Sequence, residues 1–209
     1  MNSGTGLAFA RVKAVLFIKK FMLVDLKEAE PILPECTAQE SVVTVGCALR
    51  FPKWPIIKCV VNGGQIGRPL SLQASVGSFL PEYRPGSDYT KSISARRELS
   101  GGVIFVLSHK LDYARWLMDD PSLISAMTAT VAGVPIDVED MADTNLQFLC
   151  GTSGSIQMDM IDRVLCRGCR VSGSDGTLLW EFTCKHRVSL WQETTGKGAS
   201  LFDDAGYDY

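Results

Sequence analysis

Nowhere does the 209-residue sequence hold an apolar run of the length a bilayer demands. The longest runs, such as Val15-Leu16-Phe17-Ile18 ahead of Lys19-Lys20, fall far short of roughly 20 residues, and no small-residue cleavage site follows them. Neither a membrane partner nor a secretory leader is expected. Basic charge gathered into a stripe is also missing. The 21 lysines and arginines are scattered among 23 acids for a net charge of -2, a poor match for a phosphate backbone, so no nucleic acid partner is expected. Cysteine lacks the even count of a disulfide framework. The seven, at positions 36, 47, 59, 150, 166, 169 and 184, read as buried reduced thiols and so as a cytoplasmic protein.

What is present is 46% hydrophobic and 21% charged, enough for one full core and a small second one. The Ser3–Gly6 stretch has Gly4 and Gly6, but no strand precedes it and Phe9 stands where a third glycine belongs, so residues 1–12 read as a leader. Ala14–Ile18 has a buried-strand pattern. Asp25–Glu30 begins a helix that Pro31 and Pro34 cut short, and Ser41–Val45 is a second buried strand. Residues 14–48 therefore read as the last strand-helix-strand of a parallel sheet, too little to form a sheet alone.

A short helix over 52–61, with Trp54, Ile57 and Val61 on one face, ends at Asn62-Gly63-Gly64. From Ser71 the period becomes two. Leu72, Ala74 and Val76 alternate with polar residues, and the pattern returns in Met127-Ala129-Val131, Leu146-Phe148-Cys150 and Ile156-Met158-Met160. Thr177–Phe182 and Arg187–Gln192 also read as strands. Turn residues at short intervals (Ala132-Gly133, Gly151–Gly154, Gly173–Gly176) make neighbours antiparallel. One clear helix, roughly Val103–Met118, presents Phe105, Leu107, Leu111, Trp116 and Leu117. The expected fold is α+β: an open, mostly antiparallel sheet with helices on one face.

Only two histidines occur. One of them, His109, lies three residues before Asp112 on one helical face, where an acid orients an imidazole and tunes it for acid/base work. A helical histidine near an acid is also an ordinary structural pair. The loop Phe79–Arg97 mixes Tyr83, Arg84, Asp88, Tyr89, Lys91, Arg96 and Arg97. It reads either as a solvated surface or as a grip on a polyhydroxylated ligand, and its place before the His109 helix favours the grip. Cys166-Arg-Gly-Cys169 with Cys184-Lys-His186 offers four soft ligands. The second pair is spaced more tightly than a zinc finger and both sit at strand ends, so no metal is assigned. Arg163 and Arg167 read as surface charges or subunit contacts.

Gly101-Gly102, His109-x-x-Asp112 and the following Trp116-Leu117 resemble the signature helix of the glucose-fructose oxidoreductase, inositol dehydrogenase and MocA family. The likeness continues in order through Val45–Phe51, Ile66–Leu70, Val138-Glu139-Asp140, Asn145–Phe148, Gly151 with Gly154-Ser155, and Gly173 with Gly176-Thr177, covering roughly residues 13–207. The resemblance implies a Rossmann domain for NAD or NADP, of which residues 1–48 are expected to be a leader and a remnant, and a substrate-binding and oligomerisation domain over 49–209, expected to be truncated at its C-terminal end. It implies hydride transfer between a sugar or cyclitol carbon and nicotinamide, and a homo-oligomer paired through the sheet.

Carried over residue by residue, the resemblance makes His109 the acid/base, Asp112 its orienter and Lys20 a helper in proton transfer and at the cofactor. The expected substrate contacts are Arg50, from the stretch that resembles the family's, and Tyr83, Arg84 and Tyr89, from the composition of their loop. Three departures stand out. The family's Glu-Lys-Pro becomes Lys19-Lys20-Phe21, which removes the backbone geometry that aims the lysine. Val106 stands where the family has an acid ahead of the histidine. No glycine-rich strand-turn-helix for the pyrophosphate occurs in the sequence. Two functions follow as expectations: an oxidoreductase acting on a secondary hydroxyl, inactive as this chain alone, or a non-catalytic module that dimerises through its sheet.

Overall fold

The computed structural model describes residues 15–19, 27, 30–40, 42–46, 53–182, 187–194, 196 and 198–203. The chain divides into two compact units, Met1–Ala48 and Leu49–Tyr209.

In the first unit, strand β1 (Val15–Lys19) pairs in parallel with β2 (Val42–Gly46), Phe17 opposite Thr44. Between them lies helix α1 (Ile32–Ala38), which fits the expected strand-helix-strand. Pro31 caps α1 and Pro34 lies in its first turn, where a missing N–H has no helical partner to lose. Lys27 is helical and Glu30 and Pro31 lie in a turn, in keeping with a helix that stops at Pro31, and the same prolines open α1.

The second unit is an eight-stranded sheet. Its strands are β3 (Pro69–Gly77), β4 (Pro121–Ala129), β5 (Met141–Phe148), β6 (Ser153–Asp159), β7 (Cys166–Gly173), β8 (Gly176–Glu181), β9 (Arg187–Gln192) and β10 (Gly198–Phe202). The order is β10-β9-β8-β7-β3-β6-β5-β4. Every pairing is antiparallel except β3 with β6, two strands joined by a long crossover, as parallel neighbours require. Helices α2 (Lys53–Asn62), α3 (Val103–Leu107) and α4 (His109–Met118) accompany the sheet.

Alternation sorts the sheet into two faces. Leu72, Ala74 and Val76 of β3, Ile156 and Met158 of β6, Cys169 and Val171 of β7, and Leu178 and Trp180 of β8 are buried in one core with residues of the three helices. The intervening positions, such as Gln73, Gln157 and Arg170, are exposed. Across the helix layer, the Lys58 ammonium donates to the carbonyls of Trp116 and Leu117, satisfying groups that the C-terminal end of α4 leaves open.

Several expectations need correction. The helix expected over 103–118 is two, joined at Ser108, and its buried stripe is Val103, Lys110, Tyr113, Ala114, Leu117 and Met118. Phe105 and Trp116, assigned to the apolar face, are exposed. Met127 and Val131, read as the buried set of a half-buried strand, are also exposed, because β4 is the last strand of the sheet and exposed along almost its whole length. β7 and β10 were not anticipated as strands. Cys166 and Cys169 are three apart on β7 and so point to opposite faces, which rules out a shared metal knuckle. Among the described thiols Cys36 and Cys169 are buried as expected, whereas Cys59 and Cys150 are exposed.

Candidate functional site

The double glycine that opens the signature helix has a steric cause. Gly102 adopts φ 101°, and a Cβ there would lie 2.3 Å from the Glu139 carboxylate. At Gly101 a Cβ would lie 2.3 Å from the Ile93 carbonyl. Glu139 uses this space to cap α3: its carbonyl accepts from Val103 N–H at 3.1 Å and its carboxylate from Ile104 N–H at 3.3 Å. The neighbouring Asp140 is fully buried and accepts from Val131 and Ala132 N–H, each at 2.8 Å. The family-like residues 138–140 thus hold the start of the helix pair and the loop after β4.

This anchoring fixes α4, whose first residue is His109. The imidazole is half-buried and Asp112, one turn on, is exposed. The next residue points the other way. Lys110 is 1% exposed, with its ammonium 5.3 Å from the Tyr113 ring and 5.0 Å from the Trp180 ring. Lys53 lies 4.2 Å from the same Trp180 ring, and Trp54 stacks on Tyr113 at 4.1 Å. Burial pulls the Lys110 amine down to about 7, and the charges of Arg167 and Lys53 act in the same direction. Burial likewise pushes the Cys169 thiol up to about 12. Aromatic faces partly replace the lost water around the ammonium, but they do not restore an ordinary lysine.

A cavity of about 460 Å³ opens at the end of β3. Its lining includes Phe79, Tyr83 and Arg84 from the loop after β3, and Arg163 and Arg167 from the β6–β7 connection and β7. Asp159 shapes that connection by accepting from Ile161 N–H at 3.2 Å and Asp162 N–H at 3.0 Å, and burial holds its carboxyl above the usual range. The Arg163 guanidinium lies 4.0 Å from the Phe79 ring and donates to Glu82 at 2.9 Å. Arg84 lies 5.8 Å from the Tyr83 ring.

Of the residues singled out from sequence, Tyr83 and Arg84 meet in this cavity. His109 and Asp112 share α4 but are not among the cavity's lining residues, and Tyr89 packs against the hydrophobic core. Lys20 and Arg50 lie outside the described residues. Arg163 and Arg167, read as surface charges or subunit contacts, both line the cavity, and Arg163 is a surface charge at 68% exposure. Their signal in the sequence was weak, two arginines beside a strand that was itself not recognised. Lys110 carried a clearer one, since it shares the helical stripe of Tyr113, Ala114 and Leu117.

The model of the GFO/IDH/MocA C-terminal domain matches residues 56–179, a span that contains β3, the helix pair and the sheet through most of β8. This chain belongs to that family. Its structure is similar to an NAD binding oxidoreductase from Klebsiella pneumoniae, with a TM-score of 0.82 at 16% identity over 99% of this chain and 63% of that one. The WlbA dehydrogenase from Bordetella pertussis, solved in complex with NADH and UDP-GlcNAcA, matches with a TM-score of 0.78 at 21% identity, over 91% of this chain and 58% of that one. A levoglucosan dehydrogenase in complex with NADH matches with 0.82 at 18% identity, over 96% and 57%. The chain therefore spans about three fifths of the length of these structures. No curated protein matches it. These likenesses establish the fold.

A dinucleotide requires a glycine-bearing turn from strand to helix for its pyrophosphate. Among the described residues of the first unit, α1 is seven residues long and is entered through Pro31. These residues do not fit the cofactor. No helix among the described residues is long and apolar enough to cross a membrane.

Proposed function

We propose that this chain supplies the substrate-binding and proton-handling part of an NAD(P)-dependent oxidoreductase acting on a secondary hydroxyl of a sugar or cyclitol, in a reducing cytoplasm. The observation that carries this reading is the family match across β3, the His109 helix and the sheet. Similar structures hold NADH with UDP-GlcNAcA or with levoglucosan, which supports a sugar-like substrate.

Oxidising a secondary alcohol removes a proton from oxygen and a hydride from carbon. His109 takes the proton on a neutral ring nitrogen, Asp112 orients the imidazole, and Lys20 assists. A positioned acid/base of this kind contributes about 100- to 10,000-fold to rate. Tyr83, Arg84, Tyr89 and Arg50 hold the hydroxyl-rich ligand. No hydride step is assigned to these residues, since those described do not fit the dinucleotide. Residues 1–48 are read as the end of a nucleotide-binding domain, and the 209 residues on their own are expected to turn over negligibly.

The test is a titration of the purified chain with NADH and NADPH, followed by nicotinamide fluorescence beside an intact family member, together with a sugar and cyclitol panel followed by NMR. The expected result is no nucleotide binding, measurable polyol binding, and weaker polyol binding in His109→Asn. A folded chain that binds no polyol overturns the reading.

A second reading, a module that self-associates through its sheet, is favoured by β4. Leu123, Ile124 and Met127 are all more than half exposed on this edge strand, and such edges attract partners. A concentration-dependent dimer that Met127→Lys abolishes would support it.

A further inference from the structure

Resting on the polyol reading above, we propose that the cavity at the end of β3 is an oxyanion subsite, so that the ligand it selects is an acidic sugar rather than a neutral one. Three arginines line it, Arg84 from the loop after β3 and Arg163 and Arg167 from the β6–β7 connection and β7. Arginine offers donors and no acceptor, in a planar fork that matches carboxylate and phosphate oxygens. A neutral sugar hydroxyl uses acceptors as well as donors, and one oxygen of each carboxylate in this lining is already engaged. Glu82 accepts from Arg163 at 2.9 Å, and Asp162 accepts from Val164 N–H at 3.0 Å.

Charge points the same way. Three guanidiniums against the carboxylates of Glu82 and Asp162 leave the lining net positive, and among the described residues Arg84 has no carboxylate partner. The Arg163 plane rests near Phe79 at 4.0 Å, a contact that orders the guanidinium before a ligand arrives. Its pairing with Glu82 is no obstacle. Both side chains are about two thirds exposed, 68% and 62%, and such pairs exchange readily for a better oxyanion. A volume of about 460 Å³ lies within the usual range of small-ligand sites.

The source of the oxyanion, a sugar carboxylate or a sugar phosphate, is separated by the probes. Calorimetric titration of the full 209-residue chain at low salt uses glucose, glucuronate, glucose 6-phosphate and inorganic phosphate. One or both charged sugars are expected to bind at least about tenfold more tightly than glucose, as charge-assisted hydrogen bonds imply. Arg84→Gln and Arg163→Gln, both at exposed positions, should each shrink that preference by about tenfold, and Glu82→Gln should enlarge it. Equal affinity for charged and neutral sugars, or a preference that survives both arginine changes, overturns the subsite and leaves the polyol reading standing. If no sugar binds, charged or neutral, the polyol reading falls and the acidic-sugar assignment falls with it, even where phosphate alone is taken.

Discussion

At the centre of the sheet, β3 buries Leu72, Ala74 and Val76 beneath α4, whereas at the edge β4 leaves Leu123, Ile124 and Met127 at 65%, 60% and 59% exposure. Both strands are nine residues long and both carry large apolar side chains. The difference is one of cover. β3 has a strand on either side and α4 against one face, while β4 pairs only with β5. Burial, rather than apolar character, decides what each side chain contributes to stability.

The strongest way to break this comparison is truncation on either side of it. Leu72→Ala and Ile156→Ala each empty a site with 0% exposure and should cost about 2–5 kcal/mol, because the surrounding sheet cannot collapse into the space. Leu123→Ala on β4 should change stability by less than about 0.5 kcal/mol. Urea denaturation of the three variants measures the contrast. Equal losses would mean that β4 is covered in solution, by a second copy of the chain for instance.

On the buried stripe of α4 Lys110 is the exception, a charge-bearing side chain where the stripe calls for a hydrophobe. Its amine titrates at about 7 in the fold against an ordinary 10.5, so above about pH 7 the unfolded chain binds the proton that the folded chain has released. Stability from this group therefore rises with pH from about 7 to 10.5, and the penalty is fully present below 7. Lys110→Met should stabilise the protein at pH 6 by about 2–4 kcal/mol and flatten the rise towards pH 10. Unfolding curves across that range decide. A slope unchanged by the substitution would mean that the ammonium is solvated or paired.

The same contrast explains what the sequence conveyed. Alternation in Leu72-Ala74-Val76 and in Ile156-Met158 exposed the central strands, and short turns gave their antiparallel neighbours. Alternation could not say which strand lies at the edge, since that depends on the order of pairing, so Met127 looked like Val76. β7 escaped notice because Cys166-Arg-Gly-Cys-Arg-Val-Ser-Gly173 interleaves charge and glycine with few apolar residues, yet strands pair with it on both sides and Cys169 and Val171 are buried. The glycines and acids at 101–102 and 138–140 stood out as a family pattern, and the structure supplies their reason, a cap that no larger residue at Gly102 would admit. The cavity was half legible. Tyr83 and Arg84 sit in a loop whose composition signals a ligand, whereas Arg167 joins them through the register of β7 beside β3 and Arg163 through the connection that leads into β7.

The smallest expected effect sharpens the comparison from the solvent side. The Arg163–Glu82 pair spans 81 residues in sequence and has good geometry at 2.9 Å, and by distance alone it resembles a strut between the loop after β3 and the β6–β7 connection. Exposure argues otherwise. With both side chains largely in water, the attraction is screened, and holding two long side chains in one geometry offsets most of what remains. The Glu82→Gln and Arg163→Gln double variant should shift the unfolding free energy by less than about 1 kcal/mol, and by less still in high salt. A loss as large as that of Leu72→Ala would mean that the pair ties the loop to the sheet, so that the cavity's shape, and not only its charge, depends on the two residues.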